Sequence, residues 1–181
     1  MNHRRLLEML LNDSQLTQQK AFAFYDTLDA VSEDFMYGKW RGKELSTGHP
    51  MDGLLKATKW YGKCFTDAET VHPLMFQKRN GEHYYINPGW LPMHASLDKI
   101  PRSMVHVVFP FVSIFMRTKT SKARLRMLEY RGKISAAMIY DQHAICDIFR
   151  KVDADTVVGV MDLKGLPGQG YFFVLERQRT L

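Results

Sequence analysis

The sequence predicts a mainly β protein with helices (α+β): an antiparallel barrel or strongly curled sheet, preceded by a helical pair and interrupted by one apolar helix. Three observations carry this. Residues 123–177 hold five short runs rich in β-branched and aromatic residues, separated by tight turn-forming breaks. Phe35 to Leu45 is an aromatic stretch with small residues spaced through it, as expected of a strand with close packing. The most apolar run, Met104 to Met116, is 13 residues long with His106 and Pro110 inside it, whereas a membrane span needs about 20.

Along the chain, residues 4–12 and 15–31 read as helices, because Leu6, Leu7, Met9 and Leu10, then Leu16, Ala21, Phe24, Tyr25, Leu28 and Val31 recur near three- and four-residue spacing. Asp13 and Ser14 offer oxygen side chains to cap the second. After the strand at 35–45, His49-Pro50 stops the run, and Met51 to Lys59 reads as a short helix. Residues 60–65, 73–77 and 83–86 are strand candidates, with Asn80-Gly81 supplying a turn. Asn87 to Lys99 reads as loop, and Arg102 to Arg117 as an apolar helix kinked at Pro110.

The last third has the plainest grammar. Ala123 to Tyr130, Lys133 to Tyr140, Ala144 to Val152, Thr156 to Asp162 and Tyr171 to Arg177 are strands, and breaks this short demand antiparallel pairing. Five adjacent strands must cover their edges or close, and the earlier candidates supply enough strands for closure. The economical organisation is one domain over 1–181: a helical extension (1–32), a first half (33–100), helix and loop (101–122) and the meander (123–181).

Cys64 and Cys146 are two lone cysteines in a chain of 181 residues, so a disulfide scaffold is not indicated and a reducing, cytoplasmic setting is expected. Met1 to Leu11 carries charges at Arg4, Arg5 and Glu8 and lacks the apolar core of a signal peptide. A formal charge of +6 without long like-charge blocks suggests a basic face, and no nucleic-acid partner is expected.

Two stretches together carry a family resemblance. Gly38-Lys39-Trp40-Arg41-Gly42, then Glu44-Leu45, Thr47 to Leu55 and Trp60-Tyr61-Gly62-Lys63, resembles the N-terminal part of GXWXG-motif proteins. Arg126 to Asp162, especially Glu129 to Lys133 and Phe149 to Asp153, resembles the C-terminal domain of unknown function that accompanies that motif. The resemblance implies a lipocalin-like or fatty-acid-binding-like barrel, in a family whose biochemical role is not settled.

Candidate chemistry is sparse. Trp40 is either a plug at one end of the barrel or part of a ligand wall. His49 sits on the loop Thr47 to Pro50, where a histidine can serve as acid, base or heme ligand, or simply bond nearby backbone. The seven histidines form no HExxH pattern or close helical pair, so no metal site is expected. Nitrobindin-type barrels bind heme through a histidine near the C-terminus, and no histidine follows His143 here.

Strand alternation places Ile134, Ala136, Met138 and Tyr140 on one face, and Ile145, Asp147, Phe149 and Lys151 on one face of the next strand; Arg126 shares a face with Tyr130. If these faces turn inward, they make an apolar cavity with a few converging polar groups, the usual makeup of a small-molecule site. Facing outward, Asp147 and Lys151 are a solvated pair. The candidate ligand-binding set is therefore Trp40, His49, Trp60, Arg126, Tyr130, Met138, Tyr140, Asp147, Phe149 and Lys151. Seven basic residues, Arg117, Lys119, Lys122, Arg124, Arg126, Arg131 and Lys133, follow the apolar helix against the single acid Glu129, a pattern suited to an anionic membrane surface. The expected function is non-enzymatic binding of a hydrophobic small molecule such as a fatty acid. The alternatives are an enzyme for a small apolar substrate using His49 and lumen polar groups, and a heme-binding or basic-surface interaction protein.

Overall fold

The structure, a computed structural model, describes residues 2–91 and 100–179. Helices α1 (His3–Leu11) and α2 (Gln18–Thr27) come first. The strands are β1 (Asp29–Ala30), β2 (Gly38–Glu44), β3 (Gly62–Phe65), β4 (Val71–Gln77), β5 (His83–Ile86) and β6 (Arg117–Thr118), then the meander β7 (Ala123–Tyr130), β8 (Lys133–Tyr140), β9 (Ile145–Asp153), β10 (Thr156–Leu163) and β11 (Tyr171–Arg177). Helix α3 (Leu54–Thr58) lies between β2 and β3, and α4 (Arg102–Phe115) precedes β6.

Eight of these strands close a ring. Following hydrogen bonds, β3, β2, β11, β10, β9, β8, β7 and β4 succeed one another, and β4 pairs back onto β3. The meander falls where its turn residues predict. Between Tyr130 and Lys133, Arg131 and Gly132 both take positive φ, 50° and 74°, the geometry of a two-residue hairpin turn that follows strand twist. Its two edges are covered by the earlier strands: β2 pairs with β11, and β4 meets β7 only at Val71 and Ala123. Beyond that point β4 leaves β7 and pairs with β5. The barrel wall is therefore interrupted on one side, and α3 and α4 lie over that end.

Several boundaries differ from the sequence pattern for identifiable reasons. Asp13 accepts the Gln15 N–H at 2.9 Å in a local turn, so α2 starts later, capped by the Thr17 hydroxyl on the Lys20 N–H. Its far end is cut short at Leu28, where the chain becomes extended and β1 pairs with β9. Helix α3 starts only at Leu54 because Gly53 is left-handed (φ 84°), and it ends at left-handed Lys59. Helix α4 passes through Pro110 and stops at Phe115, because Arg117–Thr118 is drawn into pairing with β5. Pro88–Trp90 forms a single 3₁₀ turn within the expected loop, of which residues 92–99 lie outside the described residues.

Two apolar cores result. Inside the barrel, Trp40, Phe65, Leu125, Met138, Phe149, Val157, Phe173 and Leu175 pack together. Outside it, α1 and α2 lay Leu7, Phe22, Phe24, Tyr25 and Leu28 on Ala137, Ile148, Val158, Val160, Phe172 and Val174. This explains why Val157 to Met161 is apolar without alternation: β10 is buried on both faces. Tyr25 anchors the helix by donating its O–H to the Ile148 carbonyl at 3.0 Å.

The glycine-tryptophan motif has a steric logic. A Cβ on Gly42 would sit 1.9 Å from the Trp60 ring, and one on Gly62 would sit 1.8 Å from the Trp40 carbonyl oxygen. Gly42 thus makes room for the tryptophan of a neighbouring strand rather than for its own. Gly42→Ala is expected to lower stability by about 1–3 kcal/mol, the usual cost of overpacking, read as a lower urea midpoint with unchanged m-value.

Candidate functional site

One end of the lumen is filled and the other is open. At the filled end Trp40 is fully buried, donating its indole N–H to the Met36 carbonyl at 2.7 Å, with the Arg177 guanidinium 4.2 Å from its ring centre. At the other end lies a cavity of about 360 Å³, within the range of roughly 300–1,000 Å³ usual for small-molecule sites. Its walls are Trp60, Phe76, Ile145, Met161 and Phe173 from the strands, Leu54 and Leu55 from α3, and Met104, Val105, Val108, Phe109 and Val112 from α4. One face of α4 is therefore the roof.

The floor is charged. Lys63 on β3 and Asp147 on β9 pair at 2.7 Å (Nζ to Oδ2), with side chains only 3% and 1% exposed. Lys63 Nζ also donates to the Pro73 carbonyl at 3.3 Å and lies 4.9 Å from the Phe173 ring centre and 5.4 Å from that of Trp60. Asp147 Oδ1 makes no well-formed hydrogen bond among the described residues, and the Tyr140 hydroxyl is the donor that interacts with this carboxylate. Burial raises the Asp147 pKa against the opposing pull of Lys63, and burial lowers that of Lys63 against the pull of Asp147. Tyr140 lies beside the same carboxylate, and burial followed by the Asp147 charge raises its hydroxyl well above its ordinary pKa. The floor thus presents a cation, an acceptor and a neutral hydroxyl under an apolar volume.

Of the residues picked out in sequence, Trp60, Tyr140 and Asp147 line this cavity. The luminal face of β9 is the one bearing Ile145, Asp147 and Phe149. Met138 stands opposite Asp147 in register and is buried in the luminal core, as is Phe149, which packs edge-on to Phe65 at the filled end. Lys151 lies beyond them on the same face, its Nζ 5.3 Å from the Phe35 ring centre, away from the cavity. Arg126 and Tyr130 must be moved to the outer face: on β7 the inward residues are Ala123 and Leu125, so the alternate positions point out. Arg126 pairs there with Glu69 at 2.6 Å, and Tyr130 borders the outer core and offers its carbonyl to buried Arg150 at 2.7 Å.

His49 does not line the cavity. Its Nδ1 accepts the Met51 N–H at 3.1 Å, and its ring lies 5.2 Å from that of Tyr171. The loop around it is held by Asp52, whose Oδ2 accepts three backbone N–H groups, from Thr47, Gly48 and His49. Glu44 performs a similar task for α3, accepting from the N–H groups of Gly53 and Leu55 and from the Tyr171 hydroxyl. Asp52 Oδ2 and His49 Nδ1 are thus both engaged in shaping the loop. His143, in contrast, lines the cavity, with Nε2 2.8 Å from the Pro88 carbonyl oxygen. No group of three or more His, Cys, Asp or Glu side chains able to hold a metal occurs among the described residues.

Sequence reasoning missed Lys63. In a regular strand Trp60 and Lys63, three apart, face opposite sides, but β3 shifts register against β4 between Gly62 and Cys64. That irregularity brings both into the cavity.

These features define a class: an eight-stranded antiparallel barrel with a helix-roofed apolar cavity and a charged floor. Residues 23–81 match the family described as GXWXG protein, and residues 121–177 match the domain of unknown function DUF4334. The chain is also similar to a protein of known crystal structure from Thermomonospora curvata, 33% identical, with a TM-score of 0.71 over 98% of this chain and 99% of that one. No curated protein matches. The chain belongs to the GXWXG family with its DUF4334 C-terminal domain.

Burial lowers the pKa of His49 and His72, whose imidazoles are held neutral in the folded chain. The unfolded chain then binds more protons below about pH 6.5, so this contribution to stability is present above that value and lost as pH falls through the lower folded values. His72 stacks on Tyr85 with ring centres 3.8 Å apart, so His72→Phe keeps the stack and removes the proton site. The urea midpoint of the unmodified chain is expected to drop more between pH 7 and 5 than that of His72→Phe.

Proposed function

We propose that this protein binds a hydrophobic, lipid-like small molecule in the barrel cavity without transforming it. The observation that carries the reading is the pairing of an apolar volume of about 360 Å³ with a compact polar floor, Lys63, Asp147 and Tyr140. An amphiphile with an apolar body and one polar head matches that division. The enzyme alternative needs His49 together with lumen polar groups, and His49 lies off the cavity and is bonded to its own loop. Native mass spectrometry of gently purified protein is expected to show an adduct of lipid-like mass, released by organic extraction, with Trp60 fluorescence shifting on its removal. A chain that stays free of any hydrophobic adduct, and takes none up when offered a panel, refutes the proposal.

A specific observation favours a peripheral encounter with an anionic membrane as the route of loading. The α4 face turned away from the cavity is apolar too: Val107, Phe111, Ile114 and Phe115 are exposed, Phe115 by 86%. No acidic residue occurs between Arg102 and Leu128. Arg131 and Lys133 are engaged with α2, through the Asp26 carboxylate and the carbonyls of Asp26 and Leu28. Arg117, Lys119, Lys122 and Arg124 form no ion pair among the described residues and are the part of the basic strip that follows α4 most closely in the sequence. An apolar helix face with adjoining cations fits an interfacial site. The protein is expected to cosediment with vesicles containing phosphatidylserine, less at high salt, and Phe111→Ser/Phe115→Ser to lose that binding. Equal recovery with neutral vesicles, or none with either, removes this route. No helix among the described residues is long and apolar enough to cross a membrane.

A further inference from the structure

Resting on the ligand-binding reading above, we infer that the cavity selects an apolar molecule ending in a neutral hydroxyl, an alcohol-headed amphiphile, and discriminates against a carboxylate head. The floor contains a buried carboxylate with accepting capacity to spare. Asp147 Oδ2 faces Lys63 at 2.7 Å, while Oδ1 is buried without a well-formed hydrogen bond among the described residues, the Tyr140 hydroxyl being the donor that interacts with this carboxylate. A buried acceptor left in that condition is costly, and a ligand that donates to it recovers the loss. An O–H does so, and a ketone or ester does not.

The other groups set what the head may accept. Lys63 already donates to the Pro73 carbonyl and pairs with Asp147, and its ammonium is flanked by the rings of Trp60 and Phe173. Tyr140 lines the cavity beside the carboxylate with its hydroxyl held in the protonated form. A ligand hydroxyl that donates to Asp147 Oδ1 and accepts from Tyr140 or Lys63 satisfies both directions at once. A carboxylate cannot. It would bring a second negative charge beside Asp147, where Lys63 is already paired with that carboxylate, so like charges repel strongly and both oxygens only accept. The discrimination is repulsive as well as attractive.

Decan-1-ol, decanoate and decane, titrated into the full chain near neutral pH and followed by tryptophan fluorescence and calorimetry, test this. The alcohol is expected to bind at least about tenfold more tightly than either of the others. Asp147→Asn keeps the shape and an acceptor oxygen while removing the negative charge, and is expected to raise decanoate affinity about tenfold. The unmodified chain decides the matter alone if that variant folds poorly. Decanoate or decane binding as tightly as the alcohol overturns the head-group assignment and leaves the hydrophobic cavity standing. Failure of all three to bind overturns both.

Discussion

The Lys63–Asp147 ion pair bridges the barrel. In the ring of eight strands, β3 and β9 stand four places apart, so the two charges reach one another across the lumen rather than along a wall. A lysine suits the task because its aliphatic stem spans apolar space while its tip stays polar. Desolvating two charges costs several kcal/mol per ion and the attraction repays it only in good geometry, so the pair is a weak source of net stability. What it supplies is position: it ties opposite walls together and divides the lumen. On one side lies the packed end around Trp40 and Phe149, and on the other the open volume beneath α4.

That open volume exists because the barrel closes imperfectly. A five-stranded meander has two edges with unpaired backbone groups. The β11 edge is paired along five residues of β2, whereas the β7 edge receives β4 only at Val71, helped by the Leu125 N–H donating to the Ala68 carbonyl at 2.7 Å. Past this point β4 turns its hydrogen bonds to β5, and the wall that a complete barrel would have there is replaced by α3, α4 and the turn at Pro88. A helix that covers such an opening must be apolar on its inner face. That α4 is apolar on its outer face as well is not required by the barrel, and this separates it from α1 and α2, whose outer faces are mostly polar, with Met9 the large apolar residue exposed on them.

The meander was legible because short turns and β-branched runs are local signals, and its register follows once they are read. Closure was legible only in part: the sequence shows enough strands, but not that β4 would serve both β7 and β5. The site divided along the same line. Tyr140 and Asp147 could be placed on particular faces by alternation, yet which face was inner depended on where α1 and α2 would pack, a tertiary matter. Once those helices take Ile148 and Val158 as their floor, Asp147 must turn inward. Lys63 was hidden by a register shift in β3, and the side taken by Arg126 and Tyr130 stayed open because their strand alternates equally well in either sense. His49 attracted notice as a loop histidine, while Asp52, which holds that loop with three backbone N–H groups, carries no motif beyond its spacing.

The energetic cost of the cavity argues that it has a use. Residual cavities in cores cost about 24 cal/mol per Å³ in the best-studied mutant series, so a volume of about 360 Å³ represents several kcal/mol of packing not realised, even allowing for its partial opening to solvent. Beneath it the chain also buries an ion pair whose carboxylate keeps an oxygen without a well-formed hydrogen bond, where a pair of apolar residues of similar volume is often at least as stable. The filled end shows that the same barrel can be packed tightly: Trp40, Phe65, Phe149 and Leu175 are buried together there. Stability alone therefore accounts for one end of the lumen and not for the other. Two separate departures from optimal packing, one apolar and one polar, meet at the same place, and a molecule with an apolar body and a donating head would relieve both.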